Sequence, residues 1–95
     1  EMCKEFNYSI AKRLNDGGYV VKEASMSKLL STKMADEVIY DALQLLGGYG
    51  YMEEYPMARL LRDSRLGPIG GGTSEILKEI IAKIIIDKKE YKPVT

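Results

Sequence analysis

The sequence predicts an all-α fold: an antiparallel up-and-down helical bundle with one of four helices absent. Three observations predict it. Apolar residues recur at spacings of three and four in three long segments, the mark of helical faces. No stretch alternates apolar and polar residues with the period of two that a half-buried strand requires. The periodic segments are separated by Asn15-Asp16-Gly17-Gly18, Gly47-Gly48-Tyr49-Gly50 and Gly67-Pro68-Ile69-Gly70-Gly71-Gly72, which read as stops and turns.

The first helix is expected over about 2–15. Met2, Phe6, Ile10 and Leu14 lie four apart on one face, with Cys3 and Ala11 beside them. Lys4, Glu5, Lys12 and Arg13 fall elsewhere and should be wet. The turn at 15–18 folds the next helix back antiparallel. That helix is expected over 20–46. Val20, Val21, Ala24, Leu30, Met34, Val38, Ala42 and Leu45 form its stripe, and Leu29, Ala35, Ile39, Leu43 and Leu46 widen it. With no Pro or Gly inside, it should run about 40 Å. So wide a stripe implies burial against more than one partner. Met26, Lys28, Lys33, Glu37 and Asp41 supply its remaining surface.

Gly47 or Gly48 is a natural left-handed cap for that helix. Pro56 suits the first turn of a short helix over 56–65, with Met57, Leu60 and Leu61 facing in. A last helix is expected over 73–88. Ile76, Leu77, Ile80, Ile81, Ile84 and Ile85 make its apolar face, and either Thr73 or Ser74 caps it. Glu75 lies in its first turn, where the dipole favours negative charge. Its β-branched residues lower the intrinsic propensity, so packing must supply most of its stability.

Composition excludes several functions. The 95 residues suggest one domain and a marginal core. Lys plus Arg equals Asp plus Glu at 14 each, so no excess charge points to nucleic acid or a membrane surface. No apolar run reaches a membrane span, and no secretion signal is visible. There is no His, which removes the commonest general base and metal ligand. The lone Cys3 makes no internal disulfide framework and no Cys-based zinc site, so no metal site is expected. The chain opens on a helical pattern without a start signal and reads as the C-terminal piece of something longer.

Neither Gly-rich segment declares a reaction by itself. Gly67 to Gly72 has a spacing like a nucleoside-triphosphate loop, but Thr73 stands where the lysine belongs. Gly48-Tyr49-Gly50 follows a helix and has no third glycine, which excludes a dinucleotide-fold fingerprint. Glu53 and Glu54 are adjacent and read as surface. A Gly-rich turn opening a helix points N–H groups outward and suits an anion. It equally suits a tight turn that lets two helices pack.

Taken together, Gln44-Leu45-Leu46-Gly47-Gly48-Tyr49-Gly50-Tyr51, Glu54-Tyr55-Pro56, Arg62-Asp63 and Ile69-Gly70-Gly71-Gly72-Thr73-Ser74-Glu75-Ile76 resemble the C-terminal helical domain of the acyl-CoA dehydrogenases. The resemblance covers essentially the whole chain. It implies a domain of a flavoenzyme that binds FAD and oxidises acyl-CoA to trans-2-enoyl-CoA. In such enzymes a carboxylate removes the α-proton, the β-hydrogen leaves as hydride to flavin N5, and electrons pass to an electron-transfer flavoprotein. It also implies a homo-oligomer, dimer or tetramer, formed through this domain. The compartment would be the cytoplasm in a bacterium or the mitochondrial matrix in a eukaryote.

Carried over by position, Gln44, Gly47 and Gly48 match a segment that touches the FAD of a partner subunit. Thr73 and Glu75 match a second FAD-contacting segment. Arg62 and Asp63 match an Arg-Asp pair, expected to be an ion pair fixing the short helix. Gly71 departs from the short- and medium-chain branch, which carries a catalytic glutamate there. Glycine cannot abstract a proton. In branches resembling the isovaleryl and long-chain enzymes the base sits on an earlier helix of the same domain. No catalytic residue is therefore expected in this sequence, and the chain alone should be inactive. The alternative is a non-catalytic helical oligomerisation or flavin-binding module.

Overall fold

Every other helix of this molecule packs on one long one. The computed structural model describes residues 1–91. Its helices are α1 (Met2–Asn15), α2 (Val21–Leu46), α3 (Gly48–Tyr51), α4 (Pro56–Arg65) and α5 (Ser74–Ile86), with no strand among the described residues. Helices α1, α3, α4 and α5 all contact α2. Apart from α3 and α4, they make no helix-to-helix contact with one another. The result is elongated, 49 × 25 × 24 Å, with a Cα radius of gyration of 16.5 Å. A compact domain of this length would have about 13 Å. The bundle is therefore open, with α2 as its spine.

The openness shows in the core. Val20 and Leu77 are the buried apolar side chains, joined by Ser25 and Ser27. Only part of the expected α2 stripe is covered. Leu30, Val38 and Leu45 are 55, 59 and 88% exposed. The face that α1 covers carries small residues instead, and the Ser27 hydroxyl donates to Asn7 Oδ1. Short side chains let two helices approach, which the apolar periodicity does not register. Leu30, Val38 and Leu45 stay largely exposed among the described residues, whereas Leu29, Ile39 and Leu43 are half-buried.

Helix α1 ends at Asp16-Gly17-Gly18. Gly17 is left-handed (φ +85°), and the N–H groups of Gly17 and Gly18 donate to the carbonyls of Leu14 and Arg13. This reciprocal pattern satisfies two of the last carbonyls of α1. Helix α4 begins at Pro56, where the missing N–H costs nothing. Met57 and Leu61 are half-buried, but Leu60 is exposed, because only one side of this short helix meets α2. The single turn α3 was not legible as a helix among its glycines.

Helix α5 is capped by Thr73, whose Oγ1 accepts from the Ile76 N–H at 3.2 Å. It ends at Ile86, two residues short of the periodic estimate. Lys88 turns left-handed (φ +53°), and the Lys89 N–H folds back onto the Lys83 carbonyl. A left-handed residue with a Cβ is strained by about 1 kcal/mol. Lys88→Gly should accordingly raise stability by about 0.5–1 kcal/mol in urea unfolding. A loss of stability would show that the Lys88 side chain holds something in place.

Candidate functional site

The Gly67–Gly72 loop is built from its own backbone and one side chain from α2. The Gly67 N–H donates to the Ser64 carbonyl, and the Ile69 and Gly70 N–H groups to that of Leu66, continuing α4 as tight turns. The Ser74 N–H closes the loop onto the Pro68 carbonyl at 3.0 Å. Lys28 reaches across from α2. Its Nζ donates to the Gly70 carbonyl and, at 2.6 Å, to the Gly72 carbonyl. Periodicity assigns Lys28 to the outer surface of α2. Instead it is half-buried and forms part of the loop, because nothing in local spacing reveals a carbonyl pair more than forty residues away.

Gly71 and Gly72 both have positive φ, +69° and +114°. Gly71 is exposed, and a Cβ built there would lie 3.9 Å from Lys28 Nζ. The left-handed backbone is one that glycine adopts without cost. Among the described residues, no acceptor receives the N–H groups of Gly71, Gly72 or Thr73. Thr73 Oγ1 accepts from Ile76 and keeps its own proton for a further partner. Glu75 is exposed on the first turn of α5.

The second glycine segment lies elsewhere. Gln44, Gly47 and Gly48 are all exposed at the far end of α2. Sixteen residues of helix separate Gln44 from Lys28, about 24 Å. Gly47 is the cap (φ +59°) and donates to the Gln44 carbonyl, while among the described residues no backbone carbonyl accepts from Gly48. A Cβ at either glycine would meet nothing within 4 Å, so the surface there is open. The structure thus brings Thr73, Glu75 and Gly71 together, and holds Gln44, Gly47 and Gly48 apart from them.

Behind the second segment, the Tyr49 and Tyr55 rings meet edge to face at 5.3 Å. Arg62 makes a two-pronged contact with Glu53, at 2.7 and 3.2 Å. This corrects the expected Arg62–Asp63 pair: side chains adjacent on a helix point apart, whereas Glu53 faces Arg62 from the preceding loop. The Arg62 hydrogen bonds and charge hold the Glu53 carboxyl below the usual carboxylate range, and Glu53 in turn raises Arg62. Both are largely exposed, so the pair orders the loop more than it stabilises the fold. Arg65 lies 3.7 Å from Asp36 of α2 and ties α4 to the spine.

The donor set suits a dinucleotide cofactor. Phosphate and ribose oxygens accept from free backbone N–H groups, a threonine hydroxyl and a glutamine amide; here Gly71 and Gln44 are exposed, and Gly72 and Thr73 are half-buried. Glu75 fits only against a hydroxyl, since a carboxylate facing phosphate repels it.

Residues 1–86 match the family described as acyl-CoA dehydrogenase, C-terminal domain. The chain belongs to that family. It is 52% identical over 66 residues to the mitochondrial long-chain specific acyl-CoA dehydrogenase of Sus scrofa, covering 70% of this chain and 15% of that protein. It is 38% identical over 81 residues to the mitochondrial isovaleryl-CoA dehydrogenase of Bos taurus, covering 85% of this chain and 19% of that protein. The crystal structure of an acyl-CoA dehydrogenase from Geobacillus kaustophilus superposes with a TM-score of 0.85 at 41% identity, over 90% of this chain and 22% of that one. The chain therefore spans about a fifth of such relatives. No helix among the described residues is long and apolar enough to cross a membrane.

Proposed function

We propose that residues 1–95 form the C-terminal helical domain of an FAD-dependent acyl-CoA dehydrogenase, which oxidises acyl-CoA to trans-2-enoyl-CoA and passes electrons to an electron-transfer flavoprotein. The observation that carries this reading is the pair of glycine-rich segments with unpaired backbone donors, one held at Lys28 and one at the end of α2 beyond Gln44, about 24 Å further along the helix. On this reading Gln44, Gly47 and Gly48 of one copy, and Thr73 and Glu75 of another, meet the same FAD. Bound FAD supplies the hydride acceptor. This chain's residues bind and orient it, with Thr73 donating its hydroxyl proton and Gln44 its amide. Gly71 has no group to take a proton, so the base belongs to a preceding helix of the parent. The 95 residues alone are then inactive. The exposed stripe of α2 supports a homo-oligomer, since apolar surface of this extent marks an interaction face.

An FAD titration of the isolated chain by flavin fluorescence, with the mass measured by sedimentation, tests the reading. The expected result is self-association without saturable binding at about 100 µM FAD, a concentration that detects even weak complexes. Saturable binding would favour the flavin-binding module instead. A monomer at tens of micromolar would remove the oligomer, and acyl-CoA turnover by this chain would overturn its assigned dependence on the parent.

A further inference from the structure

We propose that Lys28 is a positioning residue that aims the N–H groups of Gly71 and Thr73 outward at the ligand. The argument begins with the trans peptide, in which C=O and N–H point in opposite directions across one plane. The Gly70 carbonyl shares its peptide unit with the Gly71 N–H, and the Gly72 carbonyl shares one with the Thr73 N–H. Lys28 Nζ binds both carbonyls from below. Pinning them toward α2 fixes both N–H groups on the opposite side of the loop, and neither has an acceptor among the described residues.

The intervening Gly71 makes the arrangement possible. Its left-handed φ of +69° reverses the chain, so that carbonyls two residues apart converge on one ammonium. Among the described residues no carboxylate pairs with Lys28, and the two carbonyls are its protein partners. Charge-assisted bonds of this kind are about twice as strong as neutral ones. A loop with three consecutive glycines has many conformations to lose, and a single cation from a rigid helix removes most of them. The positive charge also lies directly beneath the outward donors, which favours an electron-rich oxygen above them. Identifying that oxygen as one of bound FAD rests on the function proposed above.

Two readouts separate the inference from that reading. The first uses this chain. Amide exchange is followed by NMR in the native protein, Lys28→Met and Lys28→Arg. The Ser74 N–H, which donates to the Pro68 carbonyl, reports loop closure. In Lys28→Met, which removes both charge-assisted bonds, its exchange should quicken by about ten-fold or more, while amides of α1 hold their protection. Lys28→Arg should restore part of it. Unchanged Ser74 exchange in Lys28→Met overturns the proposal, whatever happens to cofactor binding. The second uses the full-length parent and FAD. Lys28→Met should weaken FAD about ten-fold, with recovery in Lys28→Arg. Quickened Ser74 exchange with undiminished FAD affinity in both Lys28→Met and Thr73→Val would leave the Lys28 clasp standing and remove the loop from the cofactor.

Discussion

Gly50→Ala is expected to destabilise the chain by about 3 kcal/mol, as over-packing against an unyielding neighbour does. Gly50 is buried in α3, and a Cβ there would lie 2.5 Å from the Leu43 carbonyl oxygen. It would also sit 3.1 Å from Leu43 Cγ and 3.2 Å from Leu46 Cβ. The nearest atom is backbone of the α2 spine and cannot swing aside. Relief requires α3 to lift from α2, which would carry away the Tyr49–Tyr55 edge contact and loosen the start of α4. Gly48→Ala is the control two residues earlier. It meets nothing within 4 Å and should change stability by less than about 0.5 kcal/mol in the same urea titration. Equal effects at the two positions would show that α3 does not bear on α2.

The contrast between those glycines separates what the sequence discloses from what it does not. Both stand in one motif and look alike there. Which one touches the Leu43 carbonyl depends on how α3 folds back, a tertiary fact. The same holds for Lys28. Its place on α2 was readable from periodicity, but its engagement with two distant carbonyls was not. The limits of α1, α2 and α4 were legible because Gly17, Gly47 and Pro56 each impose a local backbone choice. The limit of α5 was not, since Lys88 takes a left-handed conformation that its residue type does not announce. Periodicity also identified residues that want burial without saying which find it. Leu77 is covered by its own chain, whereas Leu30 and Val38 stay exposed. Arg62 pairs with Glu53 rather than with Asp63 for a related reason, since nearness in sequence is not nearness in space.

Leu77→Ala should cost about 2–4 kcal/mol, the usual range for emptying a buried leucine site. Leu77 is 6% exposed and shares the buried apolar core with Val20 alone among the described residues. A domain with so small a core has little stability to spare, and the variant should be largely unfolded when dilute. The site matters for the loop as well. A Cβ built on Gly72 would lie 3.5 Å from Leu77 Cδ2, so this side chain forms the floor beneath the left-handed turn. Removing it takes away this support, and Ser74 exchange should quicken there too. Ile86→Ala, at 74% exposure, gives the comparison and should be nearly neutral in the monomer. Protein concentration then separates the two kinds of apolar residue. If the proposed homo-oligomer forms, exposed apolar residues stabilise only through association, so their effect grows with concentration. The Leu77 deficit is intramolecular, and the gap between native and variant monomer should persist at every concentration. A deficit that vanished on dilution would mean that Leu77 is buried by assembly rather than by its own loop.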